Sequence, residues 1–182
     1  MRRSTLPAVP IVTLALLALA GCASEPAASG ATLADAKALV QLVRIETEER
    51  LPAADVVAVE TVGDTSEACL PEEEDAEGLQ RRWVTSASVE LTATGEEGIG
   101  ASFQTLIDSF TANGWSEVEY GGGGVVTLSR PGSDASIDFV ASLGEDGAPS
   151  TITADIRSGC VATDGADSDE VAQLEDSTGT TD

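Results

Sequence analysis

The sequence has no histidine, only one lysine, Lys37, and few aromatic residues, which make up 3% of the chain. Without histidine, the chain cannot form a Ser–His–Asp triad, bind a metal through imidazole or use histidine as a pH switch. Lys37 lies on a predicted amphipathic helix, which argues against Schiff-base chemistry. The GxSxG, SxxK and HExxH motifs are also absent, so no hydrolase class that depends on them is indicated.

Basic residues are scarce as well. Nine Lys and Arg stand against 32 Asp and Glu, and the formal net charge at pH 7 is −23. A charge of this sign repels nucleic acid and anionic lipid headgroups, so we expect no nucleic-acid partner. It indicates a solvated, acidic surface; the alternative is a platform for cations or for a basic partner.

The N-terminal segment has the three-part plan of a secretory signal. Arg2 and Arg3 provide a positive start, and the apolar run Ile11–Ala20, interrupted only by Thr13, follows them. Small residues then lead into a cysteine. The run is too short to span a bilayer as a helix, which needs about 20 apolar residues.

The segment ends in Leu19-Ala20-Gly21-Cys22, which resembles the lipobox of bacterial lipoproteins. The resemblance implies that residues 1–21 are removed as a signal peptide and that Cys22 carries a diacylglyceryl group. This group would anchor the protein in the cell membrane, on its extracytoplasmic face. The alternative is an ordinary cleaved signal with a chance cysteine.

Two cysteines remain once Cys22 is assigned to lipid. In an exported chain, the pair Cys69 and Cys160 predicts a disulfide. The alternative, a reactive thiol, normally needs a basic or helix-N-terminal environment. Cys69 instead precedes the acidic run Glu72–Glu77, which disfavours a thiolate.

Two segments have helical periodicity. The first begins at Thr32 with a capping-box-like pattern and ends near Leu51, because Pro52 follows. The second begins with a capping box at Thr94 and stops at Asn113-Gly114. The apolar residues of the second helix share one face: Ile99, Phe103, Leu106, Ile107 and Phe110.

Six short segments are predicted as strands, because they are rich in β-branched residues or alternate between apolar and polar side chains. A long loop, Gly63–Gln80, separates the first two. Short turns, including Gly121–Gly124, separate the last four and favour an antiparallel meander. The predicted strands are Asp55–Val62, Trp83–Thr92, Trp115–Tyr120, Val125–Arg130, Ala135–Leu143 and Thr151–Cys160.

The element order α-β-β-α-β-β-β-β predicts an α+β domain over residues 32–160. We expect two layers, an antiparallel sheet of about six strands with two helices on one face and solvent on the other. Residues 22–31, the lipidated cysteine and a run of small residues, form a flexible tether. Residues 161–182 are acidic and lack aromatics, so they are predicted to be a disordered tail.

The order of elements also carries a second resemblance. Trp115 directly follows the helix stop, and the hairpin meander after it ends in Cys160. This arrangement resembles small lipoproteins of actinobacteria, and it implies no site.

Two acidic runs, a glycine run and an arginine pair are candidate ligand sites in the sequence. The acidic runs Glu72–Glu77 and Asp164–Glu170 lack the spacing of a dedicated calcium loop, and blocks of like charge are usually solvated. Gly121–Gly124 precedes a strand and has no lysine nearby, so it predicts a hairpin turn rather than a phosphate loop. Arg81 and Arg82 are expected to pair with the first acidic run. We therefore expect no metal and no cofactor.

Three functions follow from these features. The sequence favours an exported, lipid-anchored envelope protein with a non-catalytic binding or interaction domain, whose ligand or partner it does not name. The second hypothesis is a carrier or sensor of a small apolar ligand held between helices and sheet. The third is an exported hydrolase that uses carboxylates.

Each hypothesis makes a different structural prediction. A cavity of about 300–1,000 Å³ under the helices would favour a carrier. A cleft of convergent acids with separated pKa values would favour a hydrolase. A closed apolar layer would favour the interaction domain; its members would be Phe103, Leu106, Phe110, Ile137 and Phe139.

Overall fold

The computed structural model describes residues 30–122, 124–145 and 148–177. The predicted signal peptide, Cys22 and most of the tether therefore lie outside the described residues. Within the described ranges, no helix has the length and apolar character needed to cross a membrane.

Three helices and seven strands are present in these ranges, and the predicted α+β class with an antiparallel sheet is confirmed. The elements in chain order are α1 (Leu33–Arg50), β1 (Val56–Ala68), β2 (Gln80–Leu91), α2 (Gly95–Ala112), β3 (Ser116–Gly122), β4 (Val125–Ser129), β5 (Ser136–Ser142), β6 (Ser150–Arg157), β7 (Val161–Ala162) and α3 (Asp169–Asp176).

Helix α1 begins with the capping box that the sequence predicts. The Asp35 backbone N–H donates to Thr32 Oγ1 over 3.2 Å, and the Thr32 N–H donates to Asp35 Oδ2 over 2.9 Å. The Asp35 carboxylate accepts hydrogen bonds from the Thr32 N–H and from the Thr32 hydroxyl, and these two bonds hold the pKa of Asp35 below its ordinary value. The helix ends at Leu51, whose extended conformation suits the residue before Pro52.

Helix α2 begins differently from the prediction. Thr94 is the N-cap residue, but its side chain makes no capping hydrogen bond, so the predicted capping box is wrong. Gly95 has a φ of +76°, a conformation that glycine adopts without steric cost, and it turns the chain into the helix. The C-terminal stop at Asn113-Gly114 is confirmed, with Gly114 at a φ of +89°.

The sheet has the strand order β1-β2-β6-β5-β4-β3, and β7 pairs with the start of β2. All pairs are antiparallel. Helix α1 packs over β2 and β6, and α2 packs over β5 and β6. Both predicted helices therefore cover the same face of the sheet. Strand β2 shows the alternation most clearly, since every second side chain is buried under the helices.

The core is an apolar layer between the helices and this face. The Phe110 ring meets the Trp115 ring edge-on, with centroids 5.6 Å apart, and lies 5.4 Å from the Phe139 ring. The Arg50 guanidinium covers the Phe110 ring at 4.4 Å. The five residues named for an apolar layer are all buried: Phe103, Leu106, Phe110, Ile137 and Phe139.

The predicted loop Gly63–Gln80 is longer than the loop in the structure, which runs only from Cys69 to Leu79. Strand β1 continues to Ala68 and pairs Ser66 with Trp83 and Ala68 with Arg81. A register shift beside Val62 interrupts the alternation, and the residues after it are polar. The ladder to β2 extends the strand where the sequence has no apolar pattern.

The predicted disordered tail is wrong for residues 161–177. Val161 and Val171 are buried, and Thr163 and Ala166 donate backbone hydrogen bonds to the β1–β2 loop over 2.8 and 2.9 Å. The order therefore comes from two apolar anchors and backbone pairing, which a composition-based prediction does not register. Residues 178–182 lie outside the described residues.

Candidate functional site

The structure brings the two predicted cysteines together. Cys69 follows β1, and Cys160 lies between β6 and β7; their sulfur atoms are 2.11 Å apart, at bonding distance, and their Cα atoms are 6.1 Å apart. The Cys69 N–H also donates to the Gln80 carbonyl over 2.9 Å, which extends the ladder between β1 and β2. The pair lies where the end of the edge strand β1 meets the start of the C-terminal segment.

One residue of the acidic run Glu72–Glu77, Asp75, stabilises the loop between β1 and β2. Asp75 accepts hydrogen bonds from the Leu79 and Gln80 N–H groups over 2.9 and 2.8 Å, and these bonds lower its pKa. Within the part of the chain that the structure describes, no three acidic or thiol side chains are placed to hold a metal ion.

The expected pairing with this run is wrong for Arg82, whereas the charge of Arg81 helps to lower the pKa of Asp75 in the run without an ion pair between the two. Arg82 forms its ion pair with Glu67 on β1, at 3.5 Å. Arg81 is buried and donates to Ser66. The strand register explains the difference, because β1 lies beside β2 along its full length and supplies the nearer partners.

One face of the sheet is uncovered. In the described residues, the helices pack on the opposite face, and side chains on this one are partly exposed. We call it the uncovered face and define it by alternate residues of the four central strands. They are Val84, Ser86, Ser88 and Glu90 of β2, Thr151, Thr153, Asp155 and Arg157 of β6, Ser136, Asp138, Val140 and Ser142 of β5, and Val125, Thr127 and Ser129 of β4.

The centre of the uncovered face is a row of polar side chains. Asp138 and Asp155 lie directly opposite each other on β5 and β6, which on its own would be unfavourable for two like charges. Thr127 donates to Asp138 over 2.8 Å, Ser86 donates to Asp155 over 2.5 Å, and Arg157 forms an ion pair with Asp138. The row thus consists of two neighbouring hydrogen-bonded groups, one around Asp138 and one around Asp155, which together extend over four strands.

The uncovered face is large. Together with the edge strands β1 and β3, the six strands of the sheet at a spacing of about 4.8 Å give a width of roughly 24 Å, and the eight residues of β6 give a length of roughly 27 Å. The product, roughly 600 Å², approaches the area of about 800 Å² that each partner contributes to a standard protein interface. A broad polar sheet surface of this size suits a macromolecule better than a small ligand, which needs a concave site.

A separate apolar recess opens between α2 and the sheet. It has a volume of about 420 Å³ and is lined by Glu96, Ile99, Gly100 and Phe103 on α2 and by Gly124, Ala141 and Leu143 beneath them. Ile99 and Phe103 are buried, while Leu143 is 44% exposed. A Cβ at Gly124 would lie 3.2 Å from the Ala141 carbonyl oxygen, so glycine permits the close approach at this edge.

The sequence predicts a solvated face of the sheet and, as one hypothesis, an apolar ligand between helices and sheet, but it does not identify the residues that form either surface. The alternation of β2 and β6 indicates that one face is solvated, but only the register shows which side chains form its central row. The recess has no motif, since its lining is ordinary helix and strand residues.

Among the residues that the structure describes, the carboxyl groups with shifted pKa values lie on separate elements. The pKa values of Asp35, Asp75 and Glu175 are all lowered, and the three residues lie on α1, in the β1–β2 loop and on α3. Lowered values are typical of carboxylates that accept hydrogen bonds, whereas a general acid needs a raised one.

No protein-family model, curated protein or solved structure matches the chain. The assignment of a function therefore depends on the two surfaces, the uncovered face and the apolar recess.

Proposed function

We propose that the protein is an exported, lipid-anchored envelope protein whose domain binds a macromolecular partner, without catalysis, through the uncovered face. The observation that supports this best is the area of the face together with its hydrogen-bonding row of Thr127, Asp138, Asp155 and Ser86. Hydroxyl and carboxylate groups accept hydrogen bonds from a partner, and the surplus of acidic residues in the chain favours a basic one.

The lipobox resemblance supports the anchor. Ten residues, 22–31, separate the lipidated position from the N-cap Thr32, and they reach at most about 35 Å when extended. The domain would therefore remain close to the membrane, where the partner is expected.

The anchor is tested by Cys22→Ser, with Ser24→Ala as the matched control. Serine lacks the sulfur that forms the thioether, so Cys22→Ser should lose metabolic labelling with a fatty acid and leave the membrane fraction. Ser24→Ala should retain both. A Cys22→Ser variant that fractionates with membranes as strongly as the parent would contradict the proposal.

The face is tested by photo-crosslinking in intact cells. A photoreactive residue is placed at Ser88 or Thr153, which are paired across β2 and β6 on the uncovered face. Gln104 and Thr105, exposed on α2, are the control positions. The proposal expects the same partner band from both face positions and not from the helix. Equal or stronger crosslinks from α2 would assign binding to the helical side instead.

A second candidate function is that of a carrier or sensor of a small apolar ligand. The apolar recess favours it, because about 420 Å³ falls within the range of ligand pockets. Titration with the neutral fluorophore N-phenyl-1-naphthylamine tests it. Gly100→Leu should fill the recess and weaken binding, whereas Ala101→Leu, on the exposed side of α2, should not. Unchanged binding by Gly100→Leu would exclude the recess as the site.

A further inference from the structure

Helix α3 is attached to the edge of the sheet by both apolar and polar contacts. Val171 is 2% exposed and belongs to the main core cluster. Lys37 on α1 donates to the Leu174 carbonyl over 2.5 Å and to Ser177 Oγ over 2.7 Å. The helix therefore meets α1 on one side and β1 on the other.

Glu175 is held in a cradle of donors on β1. Its Oε1 atom accepts from Ser66 Oγ over 2.7 Å, from the Ser66 N–H over 3.2 Å and from Thr65 Oγ1 over 3.2 Å. Ser66 and Arg81 are both buried, and Arg81 donates to Ser66 Oγ through Nε over 3.0 Å and through Nη2 over 2.7 Å. A buried cation thus positions the hydroxyl group that binds the carboxylate.

The C-terminal segment and the surface beneath it carry opposite charges. The segment 161–177 has six carboxylates and no basic residue. It covers Lys37 and Arg81, two of only seven basic residues that follow residue 21. In a chain with so large a surplus of acid, this is a local cationic site occupied by an acidic helix.

The short length of α3 makes its order depend on docking. It has eight residues, and isolated helices shorter than about 12–15 residues are marginal in water. The pairing of β7 with β2 lies outside α3 and would still hold the preceding residues if the helix detached. Docked and released states of α3 are therefore compatible with one folded domain.

We propose that the surface beneath α3 is a docking site for an acidic, amphipathic helical segment of a partner protein, and that α3 is its built-in occupant. The matching segment has an apolar residue at the position of Val171 and a glutamate four residues later, at the position of Glu175, on the same helix face. This site is distinct from the uncovered face, so it does not depend on that assignment. The competing explanation is that α3 only protects the edge strand β1 from pairing.

The experiment uses the full chain in a form that releases α3. The double variant Val171→Ser/Glu175→Gln removes the buried apolar side chain and the carboxylate that attach α3 to the domain. Gln173→Ala, on the exposed side of the helix, is the control. A fluorescent peptide of residues 168–177 is titrated into each protein. The released variant should bind the peptide about tenfold or more tightly than the parent or the control, because the internal competitor is gone. A peptide with glutamine at the Glu175 position should bind less well.

Ser66→Ala, added to the released variant, should also weaken peptide binding, since it removes the hydroxyl of the cradle. No binding by the released variant, or binding that Ser66→Ala does not change, would overturn the proposal. Amide exchange in the parent chain is a second test that needs no variant. Exchange in α3 should be faster than in β2, by local opening. Exchange of α3 only together with β2 would show a purely structural helix and would also overturn the proposal.

Discussion

The ammonium group of Lys37 lies 4.7 Å from the centroid of the Trp83 ring. Trp83 is fully buried, and its indole N–H donates to Asp64, which also accepts from Gln41 over 2.6 Å. The only lysine of the chain therefore links α1 to β2 through the ring and to α3 through its hydrogen bonds. These contacts fasten α1 to the sheet and to α3.

Replacement of this lysine should destabilise the domain. Lys37→Met keeps the apolar stem but removes the cation–π contact and the hydrogen bonds to α3, so we expect a loss of about 1–3 kcal/mol in the free energy of unfolding. Lys37→Arg retains the charge and should lose less. Urea denaturation measures both. If Lys37→Met costs no more than the exposed-site control Gln104→Met, the contact is not stabilising.

Replacement of an aromatic core residue should lower the free energy of unfolding by more than replacement of Lys37. Phe110→Ala should cost about 3–5 kcal/mol, because the ring is fully buried and the cavity it leaves is enclosed by Trp115 and Phe139. Phe103→Ala should lie at the lower end of this range, since Phe103 lines the open recess. Leu42→Ala is the control on α1, where Leu42 is 53% exposed and should cost about 0.5 kcal/mol or less. Equal losses at all three positions would contradict the packing.

The cysteine pair should stabilise the domain as a disulfide. The two positions are 91 residues apart, and a loop of this length corresponds to roughly 4–5 kcal/mol on the chain-entropy model. Mass spectrometry of a non-reduced digest should recover the linked Cys69 and Cys160 peptides. The double replacement by serine should lower the denaturation midpoint. Free, alkylatable thiols at both positions in protein taken from the envelope would contradict the prediction.

The sequence predicts the elements that have a strong apolar period. Strand β2 alternates over its whole length, and α2 places all its buried residues on one helical face, so the pattern predicts both to within a few residues. The predicted β1 ends too early because the second half of the strand, after the shift beside Val62, is polar. The sequence does not predict α3, because the burial of this helix depends mainly on a single residue, Val171.

The candidate surfaces were harder to predict for a different reason. The Asp138–Asp155 row depends on the register of β5 and β6, and a shift of one residue would turn these side chains to the other face. The cradle joins Ser66 to Glu175, which are 109 positions apart and have no motif in common. Such contacts follow from the assembled sheet and helices and leave no local pattern in the chain.

The docking of α3 should depend on pH through Glu175. Burial raises the pKa of this carboxyl group. The hydrogen bonds from Ser66 and Thr65 and the charge of Arg81 together lower it by more than burial raises it, so the folded-state pKa lies below the ordinary value of 4.5. A carboxylate with a lowered pKa contributes stability that is fully present above its unfolded pKa and is lost as the pH falls through its folded pKa. The helix should therefore be held firmly at neutral pH and less firmly in acid.

The measurement compares the parent chain with Glu175→Gln between pH 7 and pH 3. Asp35 and Asp75 also have lowered pKa values and contribute in both proteins, so the difference between the two chains isolates Glu175. We expect the parent to be more stable than Glu175→Gln at pH 7, and this advantage to shrink below about pH 4.5 as Glu175 is protonated. Gln173→Ala, on the same helix, should differ from the parent by a constant amount. An advantage that stays constant or grows in acid would show that the cradle does not bind the ionised carboxylate.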